Sequence, residues 1–215
     1  MKNNIYSRVF GLLFIGVFIS FLTGYILSLN PNIVVNVMGT GLFYVLVLLE
    51  LGVVLLFSFL INKMNELLTY ICYFLYSALT GFTLSVVFLA YSMSSILLVF
   101  LLTSVIFAAL AIYGLKTKKD LSNWGIYLFV ALIGIIVASL INIFLSNTTL
   151  DFVISIIGVL VFTLFVAYDV NKVIPMAHSL YGEKKGAVYG AFQVYLDFIN
   201  IFLDLIRIFG KARDN

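Results

Sequence analysis

What most constrains this chain is a succession of apolar runs, each about 20 residues or longer and almost free of charge. They extend from Val9 to Leu29, Ile33 to Ile61, Leu67 to Tyr91, Ile96 to Leu115, Trp124 to Leu145 and Phe152 to about Asp169. That length spans the hydrocarbon core of a bilayer. Lipid offers no partner to a backbone N–H or C=O, so only helices and closed barrels can cross it. Barrel strands alternate apolar and polar residues, and these runs do not. With 64% hydrophobic and 10% charged residues, against about 25% charged in soluble domains, almost nothing is left for a soluble domain. The first run is long for a signal peptide and lacks a small-x-small cleavage site, so it reads as a span.

The connections are short and carry turn residues: Asn30-Pro31-Asn32, Asn62 to Glu66, Ser92 to Ser95 and Ser146 to Thr149. Lys and Arg fall on one side only. Lys2 and Arg8, then Lys63, then Lys116, Lys118 and Lys119, then Lys172, Lys184 and Lys185 occupy the N terminus and alternate connections, and the other connections have none. The positive-inside rule therefore places the N terminus in the cytosol. A net charge of +3 on short loops reads as orientation, with no nucleic-acid partner. The single cysteine, Cys72, excludes an intrachain disulfide or a cysteine cage, and the single histidine, His178, removes most metal sites.

A seventh segment, Gly186 to Phe209, is apolar enough to enter a membrane but differs in kind. Gly186, Gly190, Gln193, Asp197, Asn200, Asp204 and Arg207 follow one another at intervals of 4, 3, 4, 3, 4 and 3 residues. On a helix they form one stripe. Such a helix belongs inside a bundle, its polar stripe facing a cavity or another polar helix. The expected fold is an all-α integral membrane protein: a seven-helix bundle with six spans around a central polar-striped C-terminal helix, in one transmembrane domain. The spans are expected at about residues 9–29, 33–61, 67–91, 96–115, 124–145, 152–174 and 186–209. Arg207, Lys211 and Arg213 lie against the positive-inside trend if the last segment crosses fully, and a re-entrant hairpin would remove that conflict.

Asp169 ends span six, and Pro175 marks where that helix is expected to end or kink. At ~1.5 Å per residue, Asp169 lies roughly 9 Å inward of Pro175 and Asp197 about 16 Å inward of Gly186. The two depths can meet. Two carboxyls in one low-dielectric site titrate as a unit around a shared proton; otherwise each finds its own partner. Glu50, alone in span two, could be a proton carrier, a cation ligand or a packing hydrogen-bond donor. Asn142, Gly81, Gly134 and Gly158 read as helix-packing residues. The Lys116–Ser122 run reads as cytosolic anchoring, Asp120 as a local cap before Asn123, His178 as a solvated loop residue and Cys72 as apolar filler.

Tyr168-Asp169, the segment Tyr195-Leu196-Asp197-Phe198-Ile199-Asn200-Ile201-Phe202 continuing to Leu205-Ile206-Arg207-Ile208-Phe209-Gly210, and the Lys116–Ser122 run together resemble the Bax inhibitor family. The likeness covers nearly the whole chain, and the short termini resemble a compact bacterial member. It implies a pH-sensitive calcium leak through a plasma (inner) membrane, with calcium as the transported ion and no cofactor. Asp169 and Asp197 fall on the family's paired aspartates, which imply pH sensing and pore closure, and Glu50 falls on a residue of the pore. Asn200 and Asp204 extend that pathway, and Glu50, Asp169 and Asp197 are the candidate calcium contacts. Some relatives carry an arginine at the end of span two where this chain reads Leu60-Ile61-Asn62-Lys63, so a basic gate partner here would be Lys63 or Arg207.

Other classes are an intramembrane aspartyl protease, a non-conducting regulator with a membrane-protein partner, and a proton-coupled cation antiporter. The protease lacks its glycines, since Val194-Tyr195-Leu196 precedes Asp197, and no enzymatic activity is expected. The expected partners are lipid, protons and calcium ions.

Overall fold

The computed structural model describes residues 2–213, and their side chains except those of Lys2, Asn3, Phe43 and Tyr44. Lys2, one of the orientation charges, thus lies outside the described side chains. The elements are α1 (Lys2–Ser28), α2 (Pro31–Gly39), α3 (Leu42–Leu60), a 3-10 turn (Ile61–Lys63), α4 (Glu66–Ala90), α5 (Met93–Lys116), α6 (Trp124–Leu145), α7 (Thr148–Tyr168), a π turn (Asp169–Val173) and α8 (Ile174–Phe209). Among the described residues there is no strand beyond one isolated bridge between Tyr91 and Ala212. Five helical stretches and the 62-residue stretch Thr148–Phe209 are long and apolar enough to cross a membrane. Phe14, Phe59, Tyr127 and Phe144 are largely exposed, which lipid accommodates and water would not. This is an all-α membrane protein.

Three elements differ from the sequence expectation. The second run is not one span: it breaks after Gly39, where Thr40 is extended (φ −103°, ψ 155°) and its hydroxyl donates to the Val37 carbonyl at 3.0 Å. Glycines on both sides of Thr40 lower the cost of leaving the helix. Span six does not stop at Pro175, because the π turn just before it widens the backbone where proline brings no N–H and would crowd the carbonyl four residues back. The helix runs on, so His178 is helical and half-buried rather than in a loop. The break comes at Gly182, whose φ of 77° and ψ of −175° suit only glycine. Residues 183–209 then form one uninterrupted helix of roughly 40 Å, longer than the ~30 Å hydrocarbon core, and no hairpin interrupts it.

The chain groups into two compact units, residues 1–93 with 177–192 and 212–215, and residues 94–176 with 193–211. In the first, α1 and α4 meet along small residues spaced by four. A Cβ on Gly81 would come within 2.7 Å of the Ser20 carbonyl oxygen, and one on Gly24 within 2.9 Å of the Gly81 carbonyl oxygen. Close backbones let Ser20 Oγ donate to the Ser77 carbonyl at 2.7 Å and Tyr73 Oη to the Leu12 carbonyl at 2.9 Å. Phe192 of α8 is enclosed by Phe57, Tyr73 and Tyr76, with ring centroids 4.4, 6.3 and 5.1 Å away. Just beyond the Gly182 break, Glu183 pairs with Arg8 at 3.1 Å, Lys184 with Glu66 at 3.0 Å, and Lys185 donates to the Met64 carbonyl at 2.8 Å.

In the second unit, Phe198 of α8 packs edge-on between Phe100 and Phe107 of α5, at 5.6 and 5.7 Å. These two rings are seven residues apart and share one face of α5. The α8 residues Ala187 to Phe202 are largely buried, as expected of an interior helix. The expected packing roles divide: Gly81 packs closely, Gly158 leaves room for the Asp204 carboxylate, and Gly134 meets no atom within 4 Å. Asn142 caps instead of packing, its Oδ1 accepting from the Asn147 N–H at 3.1 Å, and Ser146 beside it is left-handed (φ 48°).

Candidate functional site

The site begins with the π turn. Its five residues close with the Ile174 N–H donating to the Asp169 carbonyl, an i to i+5 bond. Tyr168 and the turn itself present successive side chains to different neighbours. The Tyr168 hydroxyl sits over the backbone of Gly125 in α6, Asn171 Nδ2 donates to the Gly114 carbonyl of α5 at 2.9 Å, and Lys172 pairs with Asp120 of the α5–α6 connection at 2.5 Å. Gly114 is required for this approach, because a Cβ there would meet the Ala167 carbonyl oxygen at 2.6 Å. Tyr168, Asn171 and Lys172 thus fix where Asp169 points.

Asp169 points to Asp197. The two carboxyls face each other within hydrogen-bond reach, and both residues are buried, at 4% and 5% exposure. A carboxylate only accepts, so a hydrogen bond between two carboxyls carries a proton. Asp197 Oδ2 is buried without a hydrogen-bond partner among the described residues. The surroundings are apolar, with Val166, Ala167, Val170, Val194 and Ile201 fully buried.

The remaining candidates are placed elsewhere. One helical turn or more along α8, Asn200 Nδ2 donates to its own Leu196 carbonyl at 2.8 Å, and Arg207 pairs with Asp204 at 3.2 Å. Arg207, expected as a basic partner of the aspartates, is therefore engaged by Asp204. Asp204 lies against α7 at Gly158, within the electrostatic reach of Asp151. Glu50, in the first unit, accepts 2.6 Å from Thr83 Oγ1 of α4. Lys63 is exposed in the 3-10 turn of that unit. Among the described residues, no group of three His, Cys, Asp or Glu side chains is placed to hold a metal.

Sequence reasoning missed Asn171 and read Lys172 only as an orientation charge. The only sequence signal is two polar residues in an apolar stretch ahead of Pro175. Asp120 does more than cap locally. It accepts from the Ser122 N–H and Oγ at 3.0 and 2.7 Å, and the hydrogen bonds from Lys172 and then Ser122 hold its carboxyl well below the usual carboxylate range.

A family model described as inhibitor of apoptosis-promoting Bax1 matches residues 2–214. The chain belongs to the Bax inhibitor family. Among its relatives, the inner membrane protein YbhL of Escherichia coli is 38% identical over 96% of this chain and 91% of its own length. An uncharacterized protein of Borreliella burgdorferi is 38% identical over all of this chain and 95% of its own. An uncharacterized membrane protein of Streptococcus pyogenes serotype M1 is 35% identical over 97% and 93%. The family likeness therefore extends across both units.

Proposed function

We propose that this Bax inhibitor family member is a passive, pH-sensitive leak for calcium or similar cations across a bacterial plasma membrane, its N terminus in the cytosol and the Asp169–Asp197 pair its sensor and gate. One observation carries the reading: two buried carboxyls, one on the π turn and one on α8, face each other within hydrogen-bond reach, and a bond between them needs a proton. With the proton, the bond holds α8 against the turn. Without it, two charges lie in apolar surroundings, Asp197 Oδ2 has no donor, and the junction must separate or take up water. That is a two-state element biased by pH. Carboxylate oxygens suit calcium and concentrate cations in a confined path, so Glu50, Asp169 and Asp197 are the candidate contacts, with Asn200 and Asp204 further along α8. The base in the same turn is Lys172, held by Asp120. No cofactor and no enzymatic step enter this reading.

Calcium flux into proteoliposomes from about pH 6 to pH 8 tests it, beside Asp169→Asn and Asp197→Asn. Both substitutions should change the pH profile. Unchanged profiles would sink the sensor assignment. Flux strictly dependent on an opposing proton gradient would replace the leak by an antiporter. No flux above empty vesicles would favour a non-conducting regulator acting through a membrane-protein partner.

A further inference from the structure

At the end of the first unit remote from Lys63 and Glu66, a cavity of about 410 Å³ opens between the end of α1, the start of α2, the end of α4 and the tail that follows α8. Its size is that of a small-molecule site. Tyr25, Phe88 and Tyr91 form aromatic walls, Ser28 and Pro31 line the α1–α2 side, and Arg213 contributes the charge. Tyr25 and Phe88 meet edge-on at 5.9 Å. The tail is held by its backbone: Tyr91 and Ala212 form an antiparallel bridge, and the Arg213 N–H donates to the Ala90 carbonyl at 3.0 Å. Chain ends are ordinarily loose unless tied down. Here the two backbone contacts place the last described cation on a cavity wall.

The position of that charge is the second observation. Lys and Arg elsewhere in this unit, at Arg8, Lys63, Lys184 and Lys185, belong to the opposite helix ends. A guanidinium at this end runs against that segregation. Exposed Leu29 and half-exposed Tyr25 belong to the cavity lining, and tyrosines with apolar neighbours at a helix end mark the headgroup level of a bilayer. A guanidinium matches phosphate oxygens two at a time, while aromatic faces take glycerol and methylene groups. We propose that this cavity binds the headgroup of an anionic phospholipid from the leaflet at this end, its phosphate on Arg213 and its glycerol against Tyr25, Phe88 and Tyr91.

Native mass spectrometry of the purified full chain in detergent tests this with phosphatidylglycerol and phosphatidylcholine of identical acyl chains. The native chain should retain one phosphatidylglycerol in preference to phosphatidylcholine. Arg213→Gln should weaken retention about tenfold or more, as expected for losing a charge-assisted contact, with Arg213→Lys between. Ser28→Phe, which fills the cavity and keeps the charge, should also abolish retention, and unfolding temperatures of both variants without lipid report whether they fold. Equal retention by the native chain, Arg213→Gln and Ser28→Phe would overturn the proposal. Equal retention of phosphatidylcholine would overturn it too, assigning the aromatic walls to a quaternary ammonium. Displacement of phosphatidylglycerol by an equal concentration of inorganic phosphate would reassign the site to the free anion.

Discussion

Gly114→Ala tests how the π turn is held. A Cβ at this position would lie 2.6 Å from the Ala167 carbonyl oxygen and 3.2 Å from both Ala167 Cα and Val170 Cβ. These atoms are mostly backbone, so no side chain can swing away. Restoring ordinary contact requires α5 and the end of α7 to part by about 0.8 Å, which carries the 2.9 Å bond from Asn171 to the Gly114 carbonyl beyond hydrogen-bond range. Overpacking costs about 1–3 kcal/mol and the lost bond about 0.5–1.5 kcal/mol. Better helix propensity offsets roughly 0.5–1 kcal/mol. The expected net destabilisation is therefore about 0.5–4 kcal/mol, at roughly 2–4 °C of unfolding temperature per kcal/mol for a chain of this size. Thermal unfolding in one detergent reads it, beside Gly134→Ala, where no atom lies within 4 Å and a small gain is expected. If Gly114→Ala proves as stable as Gly134→Ala, the close approach of α5 to the turn is wrong.

Three further outcomes follow from the same geometry. Gly182→Ala should destabilise by about 1–3 kcal/mol through its backbone alone, since nothing lies within 4 Å of the added carbon; an unfolding temperature at or above that of the native chain would contradict the break. Asp120→Asn should lower the unfolding temperature at pH 7. A carboxyl held below its unfolded value contributes above that value and loses the contribution as pH falls through the folded one, so the difference should persist to about pH 4 and shrink only in stronger acid. Because Asp120 is exposed, the difference should be small and fade in ~1 M salt, and persistence there would refute an ionic origin. Thr83→Val removes the donor to Glu50 while nearly keeping volume; a double-mutant cycle with Glu50→Leu should show coupling of about 0.5–1.5 kcal/mol or more, and zero coupling would deny the 2.6 Å bond.

Most of the fold was legible because lipid imposes one rule on the backbone: apolar runs of the right length become helices. Periodicity alone placed Asp197, Asn200 and Asp204 on one stripe of α8, and depth arithmetic from Pro175 and Gly186 said only that Asp169 and Asp197 can meet. What it could not show was local. Pro175 is a poor guide to the helix end because a π turn absorbs it, and Gly182 ends the helix by a backbone angle that composition does not reveal. The stripe did not say what each polar group touches, so Asn200 turned to its own helix and Arg207 to Asp204, three residues away. The contacts of Asn171 and Lys172 escaped notice because their partners, Gly114 and Asp120, are more than 50 residues distant and carry no matching pattern.

The π turn has a consequence for reading and altering this sequence. It holds one residue more than an α-helix needs, so the residues on either side are out of phase by about 100° of rotation. A helical wheel drawn straight from Thr148 through Tyr181 misassigns the faces beyond Asp169. Deleting one residue between Asp169 and Val173 would put Pro175 into a regular helix, where it lacks an N–H and crowds the carbonyl four residues back, and would rotate the buried Ile174 away from its present neighbours. Gaps in this stretch therefore count for more than substitutions.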